Sequence, residues 1–232
     1  MTYSILAQDP DTGAFGAAVA SRFFAVGALC THVEGRVGAL STQALVNPAY
    51  GPSGLALLRA GHPAEHVVSV LVMPDPGRGQ RQLHVMDAGG RVAQHTGADC
   101  VDWAGHRHAP GISVAGNMLA GAAVLDAMLA GYAAATGLFA ARLIAALQAG
   151  EDAGGDKRGR QSAAVRVNTN DPWPDLDIRA DDHPDPLAEL RRLHAVSLER
   201  FATFRRYLAT KGAPWGELDR SVIEAAITGL AR

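Results

Sequence analysis

The feature that most constrains the fold is a pair of strand-like runs in the first 21 residues. The first, residues 2–7, is β-branched and aromatic and ends at the cluster Asp-Pro-Asp-Thr-Gly over 9–13. Proline fixes φ and glycine permits positive φ, so this cluster predicts a tight turn. The second run, residues 14–21, is small and apolar enough to be covered on both faces. The chain is therefore expected to open with a β-hairpin.

Hydrophobic periodicity predicts the elements that follow. Short strands are expected near 28–33 and 37–43, and helices over 51–60 and 64–72, separated by Gly-His-Pro at 61–63. A strand pair over 83–87 and 91–95 flanks Ala-Gly-Gly, and another strand lies near 113–116. Helices over 119–131 and 138–150 precede a half-buried strand at 162–168. This alternation indicates the α+β class.

The composition changes after residue 169. Residues 1–169 are predicted to form the main domain, 170–186 a linker or ordered loop rich in Asp, Pro and Trp, and 187–232 a C-terminal helical extension. Asp185 as N-cap and Pro186 as first helical residue mark where the extension begins. Its apolar stripe is expected to pack on the core or on a partner subunit, which favours a homodimer or higher homo-oligomer.

Composition and charge exclude several classes of function. The chain has 232 residues, 48% hydrophobic, with a formal net charge of −2. It therefore offers no general basic face for nucleic acid or anionic lipid, and its one long apolar stretch contains Asn, Asp and glycines unsuited to a membrane span. Cys30 and Cys100 make no metal spacing, and His106 and His108 have no third ligand. We expect a cytoplasmic protein that binds a small molecule and needs no metal or cofactor.

Two hydroxyl residues near the N-terminus are candidate nucleophiles. Removal of Met1 would make Thr2 the first residue, which combines a hydroxyl nucleophile with its own α-amino base, of pKa about 8. Thr2 and Ser4 lie two apart on a strand, so their hydroxyls share one face about 6–7 Å apart. Either could attack a substrate with the other as a hydrogen-bonding helper. A strand-edge threonine with no role is the alternative.

Polar groups at strand ends are candidate substrate ligands. Thr42, Gln43 and Asn47 follow a predicted strand and precede a helix, where they could donate to a carbonyl or oxyanion. Asn117 sits between a strand and a helix, where its side chain could face a substrate. Turn formation and capping are the alternatives for both asparagines.

A third candidate segment is Gly-Gly-Asp-Lys-Arg-Gly-Arg-Gln-Ser over residues 154–162. Its glycines let the backbone approach a ligand, and Arg158 and Arg160 offer guanidinium forks for a carboxylate. Asp156 could orient Arg158 or polarise the nucleophile, and Ser162 could bind substrate. A solvated basic loop is the alternative.

Six separated motifs resemble a known family. In chain order they are TYSILAQDPDTGAFGAAVASRFFAVG, STQALVNPAYGPSGL, TGADCVDWAGHRH, GNMLAG, GGDKRGRQSAA and DDHPDPLAELRRL. Together they resemble DUF1028 over about residues 2–192, a family of unknown function regarded as a distant relative of the N-terminal nucleophile (Ntn) hydrolases. The resemblance implies a four-layer αββα sandwich with the helical extension appended. The opening is also similar to that of proteasome subunits, where Thr2 matches the catalytic threonine.

The chain departs from the proteasome pattern at two points. Ala20 stands where those sites carry an aspartate before Ser-Arg, and no lysine follows on the third strand. The function expected from the resemblance is an Ntn-type amidohydrolase that cleaves a small amide, with or without a carboxylate held by Arg158 or Arg160. Its expected catalytic residues are Thr2, Ser4, Asn117 and Asp156. The alternative is a non-catalytic small-molecule-binding or assembly protein with the same fold.

Overall fold

The computed structural model describes residues 2–230 and shows a mixed α/β protein with two antiparallel sheets. The larger sheet has the strand order β10-β9-β2-β1-β8-β7 and the smaller one β3-β4-β5-β6. The strands are β1 Thr2–Gln8, β2 Phe15–Ser21, β3 Thr31–Glu34, β4 Gly38–Ala44, β5 Arg81–Asp87, β6 Val92–Thr96, β7 Trp103–Ala109, β8 Ile112–Leu119, β9 Ser162–Asn168 and β10 Leu176–Ala180.

Helices connect the strands and form the C-terminal region. They are α1 Gly27–Cys30, α2 Tyr50–Arg59, α3 Ala64–Val72, α4 Ala123–Ala134, α5 Phe139–Asp152, α6 Pro186–Glu199, α7 Phe201–Phe204 and α8 Arg220–Leu230. The chain divides into two compact units, residues 1–190 and 191–232. In the second unit, a salt bridge between Arg200 and Glu224 links the beginning of α7 to α8.

Strand β1 shows why the sheets pack as they do. Its alternate residues Tyr3 and Ile5 are buried with the apolar side chains of α4 and α5, whereas Leu6 packs with Ala39 and Met86 of the smaller sheet. The opposite face of the smaller sheet packs on α2 and α3. Alternation on a strand places Thr2 and Ser4 on the same face as Leu6, towards the smaller sheet.

The opening hairpin was predicted correctly, since β1 and β2 pair antiparallel from Thr2↔Ser21 to Gln8↔Phe15. The predicted start of α6 is also confirmed, because the Ala188 N–H donates to Asp185 Oδ1 at 3.0 Å. The predicted strand near 28–33 is instead α1 followed by β3. The amide of Val26 donates to Ser162 Oγ at 3.1 Å, which anchors the start of that helical turn.

Two edge strands were missed by the sequence prediction. The segment 170–186, predicted as a linker or ordered loop, contains β10, which pairs with β9. Strand β7 pairs with β8 at the other edge of the larger sheet. Both contain charged or histidine residues, because an edge strand keeps part of its surface in solvent and loses the apolar alternation that marks a buried strand.

Candidate functional site

Four polar residues lie in one row across the end of the larger sheet. Strand pairing aligns Ser162 with Ser21, Ser21 with Thr2, and Thr2 with Asn117. Thr2 is 6% exposed, and its Oγ1 donates to Ser21 Oγ at 3.2 Å. The register of four strands therefore brings two predicted catalytic residues and one predicted substrate ligand to the same end of the sheet.

Thr2 borders a cavity of about 70 Å³, which we call the Thr2 cavity. Its wall contains residues of β1, the β2–β3 connection and the end of β4. The lining residues are Thr2, Phe23, Val26, Leu29, Cys30, Gln43, Ala44 and Val46.

A second cavity of about 240 Å³, the Asn117 cavity, shares Ala44 with the first. Its other lining residues are Leu45, Gln80, Asp99, Cys100, Val101, Asn117 and Met118. The two cavities therefore meet at the end of β4.

Strained backbone surrounds both cavities. Ala25, Ala44 and Met118 adopt left-handed φ values of 50°, 69° and 54°. This conformation costs about 1–3 kcal/mol for a residue other than glycine, and such residues cluster at ligand sites. Ala44 and Met118 directly follow Gln43 and Asn117, so the strain occurs where the two polar side chains are positioned. Alanine and methionine carry no sequence signal for positive φ.

Three carboxamides form a fixed group beside the cavities. Gln43 Nε2 and Asn117 Nδ2 both donate to Gln82 Oε1, at 2.8 Å and 3.0 Å. The orientation of Gln82 is set in turn, because its Nε2 donates to the backbone carbonyls of Gly116 at 2.8 Å and Gly105 at 3.0 Å. Sequence reasoning selected Gln43 and Asn117 and missed Gln82, whose position inside a short strand gives no signal.

Ser4 belongs to a buried chain of hydrogen bonds. Its hydroxyl donates to Gln43 Oε1 at 2.6 Å and lies 2.9 Å from His84 Nε2. On the other side of the ring, His84 Nδ1 lies 2.8 Å from Ser113 Oγ, which itself accepts from Gln94 Nε2 at 2.8 Å. Because the Ser4 proton is directed to Gln43, His84 Nε2 must donate to Ser4, and Ser113 must donate to Nδ1.

This chain of hydrogen bonds does not activate Ser4 as a nucleophile. Both Ser4 and His84 are fully buried, and burial, reinforced by the charge of His106, lowers the pKa of His84 to about 3. The imidazole is therefore neutral and donates to Ser4 rather than accepting its proton. The structure gives Ser4 the role of holding the Gln43 carboxamide beside Thr2.

Asp156 and Ser162 hold the wall of the Thr2 cavity. Asp156 Oδ2 accepts the Arg22 N–H at 3.0 Å, and Oδ1 accepts the Arg158 N–H at 2.7 Å. Ser162 Oγ donates to the Phe23 carbonyl and accepts the Val26 N–H. These contacts fix residues 22–26, which supply Phe23 and Val26 to the cavity. The structure thus places both residues in contact with the wall segment.

Replacing Asp156 with alanine is expected to lower the free energy of unfolding by about 2 kcal/mol, because two backbone amides lose a charged acceptor that is itself buried. Amide hydrogen exchange should accelerate over residues 22–26 and 157–159 and stay unchanged in β4 and β5. Asp152→Ala, at the exposed end of α5, is the matched control. Equal exchange in the two variants would contradict the assigned role.

The two arginines predicted to bind a carboxylate are engaged elsewhere. Arg158 Nη2 lies 3.3 Å from Asp156 Oδ2. Arg160 Nη2 lies 3.1 Å from Asp185 Oδ2, and its Nη1 lies 3.7 Å from Glu151 Oε1. Neither arginine is among the residues that line the Thr2 cavity. The structure therefore does not bring the side chains of Arg158 and Arg160 together with Thr2.

Thr42 and Asn47 shape the connection from β4 to α2. Thr42 alternates with Gln43, so its side chain lies on the face of β4 that packs on the helices, and its Oγ1 donates to the Asn47 carbonyl at 3.3 Å. Asn47 Oδ1 accepts the Ala49 N–H at 3.1 Å. These contacts describe a role for Asn47 in forming the turn, which is one of the alternatives that the sequence left open.

Cys30 lines the Thr2 cavity, but burial raises the pKa of its thiol to about 12, so it is not a thiolate at neutral pH.

Within residues 2–230, no group of three or more His, Cys, Asp or Glu side chains is arranged to hold a metal ion. The helices of that same range include none with the length and apolarity needed to cross a membrane.

The fold and the site define a mixed α/β protein with a hydroxyl and carboxamide group at one end of its larger sheet. Residues 2–190 match the family described as "Family of unknown function (DUF1028)". The crystal structure of protein SPO2555 from Silicibacter pomeroyi, a DUF1028 protein, is similar with a TM-score of 0.88 and 35% sequence identity. That alignment covers 94% of this chain and 96% of the other. No curated protein matches.

The chain belongs to the DUF1028 family. The resemblance inferred from its six motifs is thereby confirmed. The family's description assigns no activity, so function has to be argued from the site.

Proposed function

We propose that this protein is an amidohydrolase of the N-terminal nucleophile type, with the two sheets and their helices forming the four-layer αββα sandwich of that class. The observation that carries the proposal is the position of Thr2. It is the first residue of β1, it lies inside the larger sheet between β2 and β8, and its side chain borders the Thr2 cavity. A nucleophile in that position can reach a substrate without any rearrangement of the core.

The proposed reaction begins when removal of Met1, which lies outside the described residues, frees the amine of Thr2. The amine takes the hydroxyl proton as Oγ1 attacks the amide carbon, and it returns that proton to the leaving nitrogen as the C–N bond breaks. Water then adds to the acyl carbon and the bond to Oγ1 breaks, which releases a carboxylic acid.

Gln43 and Asn117 are the proposed donors to the oxyanion. Each carboxamide uses one N–H on Gln82 Oε1 and retains a second N–H, and each lines one of the two adjoining cavities. Donors fixed before the reaction stabilise developing charge without reorganisation. In this scheme Ser4 positions Gln43, and Asp156 and Ser162 position the cavity wall.

A non-catalytic binding protein with the same cavity is the second candidate. None of the described residues that line the Thr2 cavity carries a charge, and Ala20 occupies the place of the proteasome-type aspartate. Because those lining residues carry no charge, the α-amine of Thr2 would be the only base that they offer to the Thr2 hydroxyl. Location in the cytoplasm and self-association stay predictions of the sequence.

The first test is intact mass of the untagged protein before and after incubation with a hydroxyl-directed electrophile, such as a β-lactone. We expect a mass lower by one methionine residue and a single adduct that maps to Thr2. The adduct should disappear in Thr2→Ala and persist in Thr12→Ala, a substitution in the exposed β1–β2 turn. Retained Met1 with no adduct would overturn the hydrolase and leave the binding protein; an adduct on Ser4 would refute the role given to Thr2.

A further inference from the structure

The lining of the Thr2 cavity specifies the chemistry of what it can hold. Polar side chains come from Thr2 and Gln43 alone among the described lining residues. Cys30 adds a neutral thiol, because burial raises its pKa to about 12. The remaining wall is hydrocarbon or aromatic, contributed by Phe23, Val26, Leu29, Ala44 and Val46.

The guanidinium of Arg22, the charged residue of the wall segment 22–26, is exposed and donates to the Arg158 carbonyl at 3.1 Å, and the other charged side chains described here are paired. Asp156 is buried and accepts two backbone amides, and Arg158 pairs with it. Arg160 is held between Glu151 and Asp185. None of the side chains that line the cavity is cationic, so a carboxylate placed among them would lose its water without an adjacent cationic side chain, which is unfavourable. An apolar group would instead exchange water for hydrocarbon contact.

The shape of the cavity limits the size of the group. A volume of about 70 Å³ is small for a ligand pocket and suits a short aliphatic chain rather than a polymer. Phe23 is 52% exposed and so forms part of the mouth, whereas Val26 and Cys30 are buried and lie deeper. Thr2 lies at the polar side, beside the point where the scissile amide would sit.

We propose that the Thr2 cavity binds the uncharged aliphatic acyl group of a small amide, and that substrates with a carboxylate on that group are rejected. The assignment of this group as the acyl side rests on the proposed function. Selection of an apolar over an anionic ligand is a property of the cavity and can be measured without turnover.

Two six-carbon amides provide a matched test. Hexanamide ends in a methyl group, whereas adipic acid monoamide has the same amide and ends in a carboxylate. Titration of the wild-type protein followed by ligand-observed NMR should give a dissociation constant at least about tenfold lower for hexanamide. Butanamide, two methylenes shorter, should bind roughly tenfold more weakly than hexanamide. Equal or tighter binding of the monoamide would overturn the proposal, as would failure of hexanamide to bind.

A positive charge introduced into the cavity wall should weaken the preference for hexanamide over adipic acid monoamide. Val46 is half-buried in the loop after β4, so Val46→Arg places a guanidinium at the cavity. We expect at least a tenfold loss in the preference for hexanamide, measured as the ratio of the two dissociation constants. Val70→Arg, at a site 42% exposed on α3, makes the same substitution away from the cavity and should leave the ratio unchanged. An unchanged ratio in folded Val46→Arg would place the ligand elsewhere.

The outcomes separate this proposal from the proposed function. Binding of hexanamide without release of hexanoate would support the apolar cavity and count against the hydrolase. Hydrolysis of adipic acid monoamide in preference to hexanamide would do the opposite, supporting a hydrolase and overturning the apolar assignment.

Discussion

Gln82→Leu is expected to lower the free energy of unfolding by about 3–5 kcal/mol. The substitution removes the acceptor shared by Gln43 and Asn117, and it leaves the carbonyls of Gly105 and Gly116 without that donor. Each buried polar group left unpaired costs about 1–3 kcal/mol, and Gln82 is fully buried, so water cannot replace the lost partners without opening the sheet interface. Urea unfolding followed by circular dichroism measures the change.

Two companion variants show which part of the side chain matters. Gln80→Leu, an exposed glutamine just before β5, makes the same substitution outside the network and should change stability by about 0.5 kcal/mol or less. Gln82→Glu keeps the volume but replaces the amide donor with an oxygen, and its stability should fall as pH rises and the carboxyl ionises. If Gln82→Leu were no more destabilising than Gln80→Leu, the carboxamide group would not be part of what holds the sheets together.

The opening hairpin shows what local sequence can specify. Turn residues at 9–13 and two runs of strand-forming residues are local signals, and the observed pairing of β1 with β2 follows from them. Thr2 and Asn117 were selected on local grounds as well, from strand and cap positions. Their alignment across β1 and β8 depends on a register set by contacts more than 100 residues apart, which no local pattern encodes.

The contacts of Gln82 and His84 show where sequence reasoning stops. A glutamine and a histidine in a short strand are more often surface residues, yet both are fully buried. The facing sheet supplies Ser4, Ser113 and Asn117 as partners, and the neighbouring strand β4 supplies Gln43. Such partners are known only once the packing of the two sheets against each other is known. Asp156 combines both cases, because the predicted contact with Arg158 is present at 3.3 Å, and the same carboxylate accepts two backbone amides that no local pattern indicated.

His84 should make the protein progressively less stable in acid. Burial lowers its pKa in the folded protein from 6.5 to about 3, so between these values the unfolded chain binds a proton that the folded protein does not. Stability therefore rises with pH across this window, by about 1.4 kcal/mol per pH unit, and is fully present above pH 6.5. The whole window amounts to about 5 kcal/mol, an amount comparable to the total stability of many domains.

His84→Gln isolates this contribution, because glutamine can still donate to Ser4 and accept from Ser113 but does not titrate. The variant is expected to lose stability at pH 7 and to show a slope about 1.4 kcal/mol per pH unit shallower between pH 6 and 4 than the wild type. His66→Gln, at an exposed position on α3, should keep the wild-type slope. Since burial also lowers the pKa values of His32 and His106, the difference in slope between variants is the quantity that decides. Parallel curves for His84→Gln and the wild type would mean that His84 takes up its proton inside the folded protein, with the Ser113 hydroxyl then accepting from Nδ1 instead of donating to it.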